Sequence, residues 1–230
     1  MSPAIQILIT LTLGLIGTII SSSFNKKLVG GVFKVLASFG FLILITRATP
    51  DMRSILAFEV NFILLAYTAL WIGDMSLSVL TYIRGKNCWF TYGNRISQFG
   101  YACLFMHLAY TNPSLFEPSH VNFVTPESIA LFTLIIANVI QLRLLNRGTL
   151  KWRILNVILY ALIISYLIII SYLLRNPWLI FGTSCIYLSD SILIHSVYGK
   201  LIRVKQKYLE LVYAPLYYIG LACITYQFII

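Results

Sequence analysis

The stretch "ILLAYTALWIGDMSLSVL", residues 63–80, decides the fold. It is apolar from Ile63 to Ile72 apart from Thr68, and then sets a carboxylate, Asp74, directly behind Gly73. A run of this kind is long enough to cross a bilayer. An ionised acid held at mid-bilayer costs a few kcal/mol or more, so such a residue needs partners or a purpose.

The rest of the chain shares this character. Of its 230 residues 59% are hydrophobic and only 10% charged, which is far too apolar for a soluble domain of this size. Eight apolar runs are long enough to span: 3–23, 28–46, 54–82, 93–112, 127–145, 152–174, 177–199 and 209–229. The expected architecture is an all-α polytopic bundle of eight transmembrane helices, one integral membrane domain over 1–230, with no separate soluble domain. The first run has no basic stretch before it, only Met1, Ser2 and Pro3, so it reads as a retained helix rather than a signal peptide. Cys88, Cys103, Cys185 and Cys223 show no metal-ligand spacing and read as small packing groups.

A net charge of +10 could suggest nucleic acid, but the basic residues are distributed by membrane side. Lys26, Lys27, Arg84, Lys86, Arg95, Arg143, Arg147, Lys151, Arg153, Lys200, Arg203, Lys205 and Lys207 fall on one face. Arg47, Arg53 and Arg175 fall on the other, and Lys34 lies within a span. The positive-inside rule then puts the basic loops in the cytoplasm and both termini outside it, in the inner or cell membrane if the source is bacterial. The basic face should attract anionic lipid headgroups, and no nucleic-acid partner is expected.

Depth brings the polar residues together. Asp74 and Asp190 each lie ten residues before the next base, Arg84 and Lys200, or about 15 Å of helix. His107, counted from Arg95, falls at about 18 Å, and Lys34 at about 10 Å with a long side chain to extend it. Each alone is consistent with a satisfied buried polar group, such as an Asp74–Lys34 ion pair. Four at one depth point to an internal site, because lipid-facing placement would be prohibitive. Glu59 and His195 lie nearer the interfaces and read as packing residues. "GDMSL" (73–77) and "SDSIL" (189–193) share small-Asp-x-x-Leu, and "YACLFMHLAY" (101–110) matches "LACITYQFII" (221–230) at Ala-Cys-aliphatic, with His107 opposite Gln227. This repeat suggests two four-helix halves with equivalent aspartates.

The ordered set Phe33–Lys34, Gly73–Asp74, His107-x-x-Tyr110, the run Gly182 to Asp190 with Ser184 and Ser189, and Gln227 near the C-terminus resembles the YhhN-like lysoplasmalogenase family. Val35 departs from the proline that commonly follows the family's lysine. The resemblance implies hydrolysis of the vinyl-ether bond of lysoplasmalogens, giving a fatty aldehyde and glycerophosphoethanolamine or glycerophosphocholine. It implies Asp74 and Asp190 as the catalytic pair, with Lys34, His107, Tyr110, Ser189 and Gln227 in support. The residues suit that chemistry independently. Protonation of the β-carbon yields an oxocarbenium-like centre for water to attack, which calls for one protonated and one ionised acid. Two neighbouring carboxyls in a low-dielectric site lose their protons in separate steps.

No cofactor is expected. His107, His120 and His195 do not share a depth, which leaves no three-histidine zinc site, and no Gly-x-Ser-x-Gly elbow marks Ser184, Ser189 or Ser191 as nucleophiles. The lysophospholipid substrate is expected to approach from the basic face, where Arg84, Lys86, Arg95, Lys200 and Arg203 can attract phosphate. The alternative reading is a proton- or cation-coupled transporter using the same acids, or a non-catalytic lipid-binding scaffold.

Overall fold

A computed structural model describes residues 2–24, 26–48, 61–80, 83, 87–113, 136, 151–198 and 206–229. Among the described residues the chain forms seven α-helices and no strands: α1 (Pro3–Ser23), α2 (Lys27–Ala48), α3 (Phe62–Met75), α4 (Asn87–Thr111), α5 (Lys151–Leu173), α6 (Pro177–Tyr198) and α7 (Gln206–Ile229). A π-helical turn, Ser76–Leu80, continues α3. α1, α2, α3 with its π turn, α6 and α7 each contain a stretch long and apolar enough to cross a membrane. The protein is a multi-pass, all-helical membrane protein. The expected run 127–145 lies outside the described residues except for Ile136, as do Glu59, Arg84, Lys86, His120, Lys200 and Arg203.

Local chemistry sets the helix ends. Pro3 and Pro177 open α1 and α6, at the first helical position, where a missing N–H costs nothing. Asn61 Oδ1 accepts from the Leu64 amide at 3.2 Å and caps α3. Asn176 Oδ1 accepts from the Trp178 and Leu179 amides, both at 3.1 Å, and caps α6. Between α5 and α6 Arg175 takes a positive φ of 52°, which lets the chain reverse within a few residues.

The faces of α2 show how the bundle is sorted. Val29, Val32, Leu36, Phe39 and Ile43 recur at helical spacing on the outer surface, while Gly30, Lys34, Ala37, Ser38, Phe41 and Ile45 face inward. The polar groups thus turn toward other helices and the exposed stripe is apolar, as lipid contact requires. Each helix packs on the next, α1 on α2 through to α6 on α7, and α7 returns to α1, closing a ring, with a further contact between α2 and α7. Small residues allow the closest crossings. A Cβ on Gly220 would meet the Gly182 carbonyl oxygen at 2.7 Å, and one on Gly100 would meet that of Ala66 at 2.9 Å. Gly182 and Ala66 each lie eight residues before an aspartate, and Gly100 and Gly220 pair in the sequence repeat. The α3/α4 and α6/α7 hairpins therefore cross at corresponding points.

Candidate functional site

The ring turns a layer of polar groups inward from six helices. α3 presents Asp74, which is only 7% exposed, and α6 presents Asp190, partly buried. The two carboxylates lie within electrostatic reach of one another. Gly73 lets this happen on one side, since a Cβ there would fall 2.2 Å from Ser97 Oγ and would push α4 away.

Each acid is met by hydroxyls. Ser38 on α2 donates to Asp74 Oδ2, and Tyr101 on α4 donates to Asp190 Oδ2 at 3.1 Å. Tyr217 on α7 lies within reach of Asp74, and Tyr160 on α5 within reach of Asp190. These two hydroxyls are buried and, among the described residues, stop short of a hydrogen bond of normal geometry. The Tyr101 and Tyr160 rings meet edge to face, with centroids 6.1 Å apart. Tyr218, beside Tyr217, extends its hydroxyl to the Lys34 carbonyl at 3.4 Å and ties α7 to α2.

Lys34 is buried as expected, but its ion pair is with Glu210 of α7 rather than with Asp74. Ser21 of α1 donates to the same Glu210 oxygen at 2.8 Å. The lysine remains within electrostatic reach of Asp74. Glu210 escaped the sequence reading because the last span was expected to begin at residue 209. The helix begins at Gln206, which carries Glu210 a turn into the bundle.

Other expectations separate from this layer. His107 is not level with the aspartates: it lies six residues, about 9 Å, beyond Tyr101 on α4 and packs edge-on against Phe228, with centroids 5.3 Å apart. The depth count from Arg95 failed because α4 begins at Asn87, so Arg95 sits well inside the helix rather than at its edge. Gln227 is about 15 Å along α7 from Tyr217, on the His107 side. Tyr110 is 77% exposed, and Arg95 is exposed as well. Ser189 is buried and donates to the Tyr213 carbonyl at 2.8 Å, a link between α6 and α7. Among the described residues no three His, Cys, Asp or Glu side chains are placed to hold a metal ion.

Chemically, two carboxyls in a largely buried layer with four hydroxyls nearby can hold a proton, stabilise a cation or orient a water. The class this defines is a polytopic helical membrane protein with a buried two-aspartate centre. The family model of the YhhN family matches residues 29–228, which takes in every helix of that layer, and the chain belongs to this family. Comparison with curated proteins and with solved structures returns no match.

Proposed function

We propose that the protein is an intramembrane ether hydrolase of the lysoplasmalogenase type, cleaving the vinyl-ether bond of alkenyl glycerophospholipids through Asp74 and Asp190. The observation that carries this reading is the placement of two carboxyls, Asp74 buried on α3 and Asp190 partly buried on α6, within electrostatic reach of one another and each met by hydroxyls, in a member of the YhhN family. One carboxyl donates its proton to the β-carbon of the vinyl ether. The other, ionised, stabilises the oxocarbenium centre and directs water to it. The hemiacetal collapses to a fatty aldehyde and a glycerophospho-base. Tyr101 and Ser38 orient the acids.

Substrate approaches from the cytoplasmic basic face, attracted by Arg84, Lys86, Arg95, Lys200 and Arg203, with both chain termini on the opposite side. The test is aldehyde release from a lysoplasmalogen by the purified protein in detergent. Turnover that depends on both aspartates supports the reading. No aldehyde from well-folded protein rejects it. A reporter active only in the cytoplasm and fused after Ile230 should be silent, and activity there reverses the topology.

A further inference from the structure

The proton transfer proposed above does not use the Lys34–Glu210 pair, which is the only ion pair among the described residues. Both side chains are mostly buried, 10% and 13% exposed, and they join α2 to α7 with Ser21 of α1 alongside. Lys34 lies one turn, about 6 Å, before Ser38 on α2, and Ser38 holds Asp74. Because α2 starts at Lys27, this step leads from the aspartates toward the basic end of the helix.

A buried ion pair contributes little to stability unless its remaining donors and acceptors are also matched. Here they are not all matched. An ammonium has three donors, and among the described residues Lys34 uses one, on Glu210. Ser21 and Lys34 both bond Glu210 at Oε1, and among the described residues no donor is placed on Oε2. The pair thus presents two N–H donors beside one carboxylate oxygen, the complement of an anion and a hydrogen-bonding cation held a short distance apart.

We infer that Lys34 and Glu210 form the headgroup site, taking a zwitterionic phosphoethanolamine: Lys34 binds the phosphate oxygens and Glu210 Oε2 accepts from the primary ammonium. This rests on the hydrolase reading for the reacting bond, which the glycerol unit would place about one helical turn away, at the aspartates. A trimethylammonium has no N–H to donate, so the site favours ethanolamine over choline. The tail then runs away from the basic face.

The experiment compares the full-length protein with Glu210→Gln on three alkenyl substrates that differ only in headgroup: phosphoethanolamine, phosphocholine and phosphate alone. The wild type should show a KM at least tenfold lower for ethanolamine than for choline. Glu210→Gln should erase that preference by raising the KM for ethanolamine, while the KM for the phosphate-only substrate should not rise, because Lys34 keeps its ammonium and loses a competing carboxylate. A bracing role would instead change all three substrates alike, and that result, or an unchanged preference, overturns the inference.

A binding arm separates this failure from failure of the hydrolase reading. Acyl lysophosphatidylethanolamine, which has no vinyl ether, should raise the melting temperature of wild type in detergent more than acyl lysophosphatidylcholine does, and Glu210→Gln should lose the difference. If that holds without any aldehyde release, the headgroup site stands and the hydrolase reading falls. Should Glu210→Gln not fold, Lys34→Met/Glu210→Met replaces the pair by apolar groups of similar size, a change that buried ion pairs commonly tolerate. Retention of the headgroup difference by this variant also overturns the inference.

Discussion

Around Asp74 the hydroxyls come from Ser38 on α2 and Tyr217 on α7, whereas around Asp190 they come from Tyr160 on α5 and Tyr101 on α4. In the eight-span scheme each acid takes one neighbour from its own half and one from the last helix of the other half. On that scheme neither half would be complete alone. The resemblance stops at size and charge: a serine stands on the Asp74 side where a tyrosine stands on the Asp190 side, and only Asp74 has the Lys34–Glu210 pair close by. The substrate proposed above, a lysolipid, has a head and a tail, and a site of two identical ends could not orient it. The small donor and the ion pair on one side give the layer a direction.

The largest expected effect comes from the acids themselves. Asp74→Asn and Asp190→Asn should each lower kcat for aldehyde release by about 10³-fold, with the double variant little worse than the poorer single one, because the two act as a unit. Near-normal turnover by either well-folded variant would show that the halves are not functionally paired. Next come the exchanged tyrosines. Tyr101→Phe removes a hydrogen bond to Asp190 and should cost about tenfold in kcat/KM, whereas Tyr217→Phe, whose hydroxyl lies within reach of Asp74 without a bond of normal geometry, should cost less; an equal or larger loss at Tyr217 would show that this hydroxyl engages Asp74 during turnover.

Stability tests the crossings. Gly220→Ala pushes a methyl onto the Gly182 carbonyl and Ile186, and should destabilise by about 1–3 kcal/mol in detergent unfolding. Gly100→Ala should cost less, because its contact with Ala66 is longer and the next atoms belong to the Leu70 side chain, which can turn aside. Equal losses would mean that the crossings are equally tight. Smallest of all, Tyr110→Phe on the exposed end of α4 should leave both activity and stability within about 0.5 kcal/mol of wild type.

The aspartates were legible in the sequence because a charge inside an apolar run is costly wherever the run sits. The all-helical membrane character was equally plain. What surrounds the acids was not. Fifteen tyrosines are scattered over this chain, and nothing in their spacing singles out Tyr101, Tyr160 and Tyr217. Which of them face inward depends on the rotation of each helix, and that is set by packing at residues such as Gly73 and Gly220. The depth of His107 was less legible for a simpler reason: Arg95 does not mark a helix edge, because α4 begins at Asn87, and Glu210 was hidden because α7 begins at Gln206, ahead of the apolar run from 209.

The π turn at Ser76–Leu80 bears on ancestry. An i→i+5 turn takes up more chain than an α turn, whereas α6 continues as regular helix past Asp190 to Tyr198. If the two halves descend from one duplicated unit, a gapless alignment between them holds from Ala66 to Asp74 and then loses structural meaning. The insertion would sit just below the first acid and postdate the duplication, so reconstruction of the common ancestor should place a one-residue gap there, leaving a straight helix beneath both acids.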